Sequence, residues 1–443
     1  MSRHHEIREM EKKYVYGTWR YENTWNPVIM ESGEGCYLTD LDGKRYLDFS
    51  SQLMCSNLGH KNQAVIDAIT EQANKLCYAA PGFGTVPAAT LGKMLEEVTQ
   101  EGLVKSFLTN GGSEANEAAI KIARMYTGKG KFISRYRSYH GATSGAIALT
   151  GDPRTQHAVG MGGVVRAPDC YCYRCPCGKE YPGCGVTCVE IIDEIIRMEG
   201  PNSVAGVVIE PIVGSNGILV PVDEYIPRLR EICDDHEILL IADEVMSGFG
   251  RTGKMFCIEH WDVTPDIMSM AKGISGAFLP VGATITRQAI ADHFDQPGNL
   301  FSHGQTYAMH PMGGAVAIAS IKEYEKHNIV ENAAKMGMYM EKRLNELAES
   351  HKSIGEVRGK GLFWGVELVK DRETKEPFAT RKEKFLPTIQ KKMSAAAMEK
   401  GVYLVNIINH FIVAPPLIVT EAEIDEGIAV LDEVLAIADR ETV

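Results

Sequence analysis

Two short runs, residues 204–209 and 238–242, are almost unbroken hydrophobic β-formers, and they leave few choices for the fold. A strand with one solvated face alternates polar and apolar residues; a strand covered by helices on both faces does not. Between the two runs, residues 226–236 carry apolar side chains at helical spacing. Strand, helix, strand is the unit of a parallel sheet, because parallel neighbours need a crossover connection. Further β-rich runs at 104–109 and 131–135 extend the pattern. The expected fold class is α/β with a mostly parallel central sheet.

The chain ends read differently. Residues 35–40 and 44–48 look like two strands joined by the turn Leu41-Asp42-Gly43. Beyond about residue 325, amphipathic helices at 331–351 and 384–400 flank strand candidates at 361–369 and 410–413. A large domain over residues 71–325 is expected, with residues 1–70 and 326–443 combining into a smaller α+β domain.

Composition narrows the function. At 443 residues, with 44% hydrophobic and 23% charged, the chain is ordinary for a soluble globular protein. A net charge of -12 argues against nucleic-acid partners, which require clustered Lys and Arg. No apolar stretch is long enough to cross a membrane, and the polar start Met1-Ser2-Arg3-His4-His5 lacks a signal-type core. The eleven cysteines are therefore expected as reduced thiols or metal ligands, and the protein is expected in the cytoplasm.

Candidate chemistry clusters where strands end. Lys272, in Met270-Ala271-Lys272-Gly273, and Asp243, closing the most apolar run, fit the two handles of a pyridoxal phosphate site. Such a site needs an amine to hold the aldehyde and move a proton, and an acid to keep the ring nitrogen protonated. Asn110-Gly111-Gly112-Ser113 follows a strand and opens a helix, as a phosphate cradle would, although Ser113 as a simple N-cap explains it too. Tyr139 and Val245 sit where an aromatic and an aliphatic could cover a planar ring, Thr306 offers a hydroxyl and an N–H, and residues 312–320 form a small-residue helix. Gly248 to Met255 imitates a P-loop, but Met255 replaces the metal-binding hydroxyl and no clear helix follows, which excludes a nucleotide triphosphatase.

In their order these segments resemble the class-III aminotransferases of fold type I. The resemblance runs from about Trp25 to the C-terminus. It includes Asn57-Leu58-Gly59-His60, Gly112-Ser113-Glu114-Ala115, Tyr139-His140-Gly141, Glu210-Pro211, Asp243-Glu244-Val245, Lys272, Thr306 and Pro415-Pro416. It implies that Lys272 binds the cofactor covalently and shuttles protons, and that Asp243 pairs with the ring nitrogen. By the same resemblance, Tyr139 and Val245 sandwich the ring, Gly112 and Ser113 bind phosphate, and Glu210 orders polar groups nearby. Thr306 would reach the phosphate in a neighbouring subunit, so a homodimer or a dimer of dimers with shared sites is implied.

The chain departs from glutamate-using relatives at Ser215, where they carry a second Glu, and residues 402–410 lack the arginine that pairs with it. Met54 stands where an aromatic narrows the pocket, and Trp19 lies in a segment suited to cover the entrance. A roomy pocket is expected, for an amine, taurine, a β-amino acid or a β-aminoacyl thioester such as 3-aminobutyryl-CoA. The expected acceptor is pyruvate or 2-oxoglutarate, used in a ping-pong reaction. Cys172, Cys175, Cys184 and Cys188 have spacings suited to a structural zinc. An aminomutase of the same family and a non-catalytic metal-binding protein are the rival readings.

Overall fold

The computed structural model describes residues 3–19, 21–158, 160–380 and 389–443. Its central sheet has seven strands: β1 (Leu103–Thr109), β2 (Lys131–Arg135), β3 (Val164–Ala167), β4 (Val204–Ile209), β5 (Leu239–Asp243), β6 (Ile267–Met270) and β7 (Gly282–Arg287). Their spatial order is β1-β7-β6-β5-β4-β2-β3. The pairs β3–β2, β2–β4, β4–β5 and β5–β6 are parallel.

The strand β7 is antiparallel to both its neighbours, β1 and β6. Its direction follows from its connection. Only the loop Ala271 to Val281, with a one-turn helix at Lys272–Ser275, separates it from β6, too little for a crossover helix. This loop therefore doubles back at the carboxyl ends of the parallel strands.

Every residue of β4 and β5 is buried, as helices on both faces require. The strand β5 ends one residue later than the apolar run, so Asp243 is its last residue. The helix Gly112–Thr127 lays Ala115, Ala118, Ala119 and Ile122 inward, and Thr284 Oγ1 of β7 donates to the Ala115 carbonyl at 2.7 Å. Its small side chains let the backbone lie close to the sheet.

Both chain ends contribute to one four-stranded sheet. Met30–Glu34, Tyr37–Asp40 and Arg45–Asp48 are joined by Val402–Tyr403, which pairs in parallel with Leu47 and Asp48. The hairpin turn is closed by the Asp40 carboxylate, which accepts from the backbone N–H of Asp42 (3.0 Å) and Lys44 (2.9 Å). The strand expected at 361–369 runs from Phe363 to Asp371, and the helix expected at 331–351 spans Ile329–Ser350. Of the helix expected at 384–400, Ile389–Glu399 is helical, while residues 384–388 lie outside the described residues.

The P-loop mimic is scaffolding. Arg251 at its centre is fully buried and donates to the carbonyls of Leu362 (3.0 Å) and Pro415 (2.6 Å), to Ser51 Oγ (3.1 Å) and to Asn57 Oδ1 (2.7 Å). Desolvation holds the guanidinium pKa down at about 10. One arginine thus ties together the beginning, middle and end of the chain. Among the described residues no helix is long and apolar enough to cross a membrane.

Candidate active site

A cavity of about 410 Å³ opens at the carboxyl ends of β1, β4, β5 and β6, where open α/β sheets bind ligands. It brings Lys272, Asp243, Tyr139 and Val245 together with Gly112, Ser113 and Glu210. All seven were singled out from the sequence, and each lies at or just beyond a strand end.

Lys272, the second residue of the loop after β6, has a left-handed backbone (φ 49°), a conformation costly for a residue with a Cβ and typical of sites under functional constraint. Among the described residues its amine makes no hydrogen bond or ion pair. Desolvation lowers its pKa; Cys55, Asp243 and Glu210 pull the other way, and Arg154 adds to the lowering.

Asp243 is 3% exposed, and its carboxylate takes three contacts from the protein. Oδ2 accepts from Asn116 Nδ2 at 2.8 Å and lies 2.7 Å from His140 Nδ1, while Oδ1 accepts the Val245 N–H at 3.0 Å. Asn116 also donates to the His140 carbonyl at 2.7 Å, which locks the pair in place.

Glu210 follows β4 and orders two backbone segments. Oε1 accepts the Tyr139 N–H at 2.9 Å and Oε2 the Gly214 N–H at 2.8 Å. Burial raises its pKa above the usual carboxylate range.

Glycine at two positions here permits a close packing that a side chain would block. A Cβ on Gly112 would sit 2.7 Å from Val245 Cγ1, and one on Gly141 (φ 137°) 2.2 Å from Ser113 Oγ. Ser113 is not the N-cap: the helix starts at Gly112 after Gly111, so the Ser113 hydroxyl is free to accept the Ala142 N–H at 3.3 Å.

Trp19 is 46% exposed, and its ring centroid lies 5.6 Å from the Arg154 guanidinium. Trp19, Met54 and Thr306 do not line this cavity; Thr306 was expected at a neighbouring subunit's site. Met54 does not line the cavity: the chain turns sharply, with φ of 44°, 56° and 52° at Ser51, Gln52 and Met54, and this drives Met54 into the core at 3% exposure. Thr306 is exposed outside the cavity, where its carbonyl accepts from the Tyr78 hydroxyl at 3.0 Å.

Cys172, Cys175, Cys184 and Cys188 do come together with Cys170 and Cys177 around a cavity of only about 20 Å³. All six are free thiols. Among the described residues no group of three or more His, Cys, Asp or Glu is arranged to hold a metal ion, so the expected zinc is not supported.

A family model described as aminotransferase class-III matches residues 20–435. The chain belongs to the class-III aminotransferases. Taurine–pyruvate aminotransferase of Bilophila wadsworthia is 37% identical over 448 residues, 97% of this chain and 96% of that protein. Leucine/methionine racemase of Thermococcus litoralis is 38% identical over 420 residues, 93% and 91% of the two chains. The crystal structure of a taurine:2-oxoglutarate aminotransferase from Bifidobacterium kashiwanohense, in complex with PLP and glutamate, matches with a TM-score of 0.93 and 35% identity over 99% of each chain. The protein is thus a fold type I, pyridoxal phosphate-dependent aminotransferase.

Three residues near the cavity were not assigned from the sequence. Asn116 sits one helical turn after the glycines, where only the fold reveals that it meets Asp243. Cys55 acts electrostatically on Lys272 from a loop that is remote in sequence. Arg154 stacks with its Cζ 3.5 Å from the Tyr139 ring centroid, although no motif marks it.

Proposed function

We propose that the enzyme moves an amino group from an amine or a β- or ω-amino donor to pyruvate or 2-oxoglutarate, in two half-reactions at one site. The observation that carries this is the unpaired, desolvated amine of Lys272 in the same cavity as the buried carboxylate of Asp243. Pyridoxal phosphate bound there supplies an aldehyde for amines to condense with and a ring that delocalises negative charge.

The residues fit that group. Lys272 would hold it covalently, Asp243 would face its ring nitrogen, Tyr139 and Val245 its two faces, and Gly112 and Ser113 its phosphate. Space for it is offered by the cavity of about 410 Å³ that these residues line. A lowered pKa gives Lys272 more neutral amine near neutral pH, able to take a proton from the donor carbon and return it. Asn116, His140 and the Val245 N–H orient the Asp243 carboxylate. Glu210 fixes the backbone of Tyr139 and so the position of its ring.

Thr306, exposed on this subunit, is taken to serve the site of a second copy in a homodimer. The parts before residue 71 and after 325 are taken as one smaller domain, supported by the sheet they share. A cytoplasmic location fits eleven cysteines that are all free thiols.

Taurine and β-amino acids are the first donors to test, given the relatives named for taurine. The test combines taurine, β-alanine or propylamine with pyruvate or 2-oxoglutarate and measures the alanine or glutamate formed. Parallel double-reciprocal plots are expected. The racemase relative favours one other outcome, isomerisation of the donor without any acceptor. Isomer formed with no acceptor present, or no amino product from any pair, overturns the aminotransferase assignment of substrate roles.

A further inference from the structure

We propose that Tyr324 is the positioning residue that holds Lys272 in its working conformation, by donating its hydroxyl to the Gly273 carbonyl. The proposal rests on the reading of Lys272 as the lysine that holds the cofactor and moves the proton, and it adds what keeps that amine in place. Lys272 carries its chemistry on a backbone with φ of 49°. A residue with a Cβ stays in that region only where its surroundings over-determine it. Here the surroundings come from parts of the chain that are remote in sequence.

Tyr324 lies near the end of the helix Pro311–Lys326 and is 1% exposed. Its hydroxyl donates to the Gly273 carbonyl at 2.8 Å, and the same carbonyl accepts the Gly276 N–H at 3.2 Å. Burial raises the phenol pKa, against the opposing pulls of Asn57 and Arg251, so the hydroxyl keeps its proton and stays a donor. Gly273 is also pressed against two more residues: a Cβ there would sit 2.6 Å from Asn57 Nδ2 and 2.7 Å from Phe249 Cβ. Asn57 is itself fixed, donating to the Phe249 carbonyl at 3.0 Å and accepting from Arg251 at 2.7 Å. The Phe249 and Tyr324 ring centroids lie 6.1 Å apart.

Two facts separate this arrangement from ordinary packing. Among the described residues, Tyr324 is the one side chain from outside the Ala271 to Val281 loop that hydrogen-bonds the backbone of Lys272 or Gly273. In addition, the carbonyl it holds belongs to the residue that follows the left-handed one. Any relaxation of Lys272 towards an ordinary backbone has to move this carbonyl and break the bond. With the carbonyl anchored, the long Lys272 side chain starts from one fixed direction each time its amine leaves the cofactor and returns. Proton transfer needs its heavy atoms within about 2.6–3.2 Å, so a small swing of the backbone, carried along four methylenes, is enough to lose that reach.

The test compares wild type with Tyr324→Phe, which keeps the ring and removes only the hydroxyl. Tyr46→Phe is the control; it removes a buried hydroxyl that donates to Asp40 Oδ2 at 2.7 Å in the N-terminal hairpin. The first readout is the rate at which cofactor-free protein captures pyridoxal phosphate on Lys272, followed by absorbance. The second is the single-turnover rate of holoenzyme with saturating taurine, with and without deuterium on the amine-bearing carbon. Both rates are expected to fall about 3–10-fold in Tyr324→Phe, the worth of one buried hydrogen bond, and to stay at wild-type values in Tyr46→Phe. The deuterium effect should be at least as large as in wild type, because proton transfer is the step that slows. A folded Tyr324→Phe with both rates within about twofold of wild type, equal losses in the two variants, or a smaller deuterium effect overturns the proposal and leaves Tyr324 as packing. If wild type does not convert taurine, the donor assignment fails instead, and the capture rate still decides the role of Tyr324.

Discussion

Asp243→Asn is the substitution whose cost follows most directly from the geometry. The carboxylate takes three contacts, from Asn116 Nδ2 (2.8 Å), His140 Nδ1 (2.7 Å) and the Val245 N–H (3.0 Å). An amide in its place can keep the Val245 bond through its oxygen, but its NH₂ then confronts the Asn116 NH₂, donor against donor. That mismatch in a buried site costs about 1–3 kcal/mol of stability. The larger loss is kinetic. Without an anion opposite the ring nitrogen, the developing charge on the reacting carbon loses its electrostatic sink. Removing one preorganised electrostatic partner costs about 2.7–4 kcal/mol, or roughly 10²–10³-fold in kcat. The assay is kcat with saturating donor and pyruvate, on protein shown by absorbance to retain cofactor and by thermal melting to be folded. A folded, loaded variant with kcat within about threefold of wild type would refute the role of Asp243.

Two predictions concern stability. Glu367 is buried against Arg174 Nε (2.6 Å) and Arg358 Nη1 (2.7 Å); burial raises its pKa, but Arg358, His410, Tyr171 and Arg174 outweigh this and hold it near 2. Glu367→Gln strands buried cations and should cost about 3–5 kcal/mol in urea unfolding at neutral pH. Because the folded pKa is depressed, the gap should narrow as pH falls from about 4.5 towards 2; a loss below about 1 kcal/mol at neutral pH contradicts this. For His351, burial lowers the pKa, but bonds to Asp439 (2.6 Å) and Asp432 (2.7 Å) prevail and raise it. Its contribution is fully present below an unfolded value of about 6.5 and is lost as pH rises through the folded pKa. The Tm difference between wild type and His351→Gln should therefore be larger at pH 5.5 than at pH 9, and a larger gap at pH 9 would be wrong for this pair.

Features set by local chemistry were legible before the fold was seen. Strands buried on both faces announce themselves by composition, so β2 and β4 have the expected bounds and β1 and β5 shift by one residue. Lys272, Asp243 and the glycines stood out because their chemistry demands those residue types at strand ends. What depends on three-dimensional convergence was hidden. The direction of β7 is set by the length of the Ala271 to Val281 loop and by its pairing with β1, not by its own residues. Asn116 sits on a helix face that a sequence pattern reads as core, and Arg154 in a turn that a sequence pattern reads as surface. Met54 was misplaced because positive φ at Ser51, Gln52 and Met54 reverses the expected facing. Cysteine spacing permitted a tetrahedral site, but among the described residues the loop does not arrange three or more of the thiols to hold a metal ion.

The amine that holds the cofactor can be read out chemically. Borohydride reduction of the holoenzyme, followed by proteolysis and mass mapping, converts the covalent link into a stable phosphopyridoxyl mark on one side chain. The mark is expected on Lys272, within the peptide that continues through Gly273-Ile274-Ser275. A mark on any other lysine, or no mark on protein carrying stoichiometric cofactor, contradicts the assignment of this cavity as the catalytic centre.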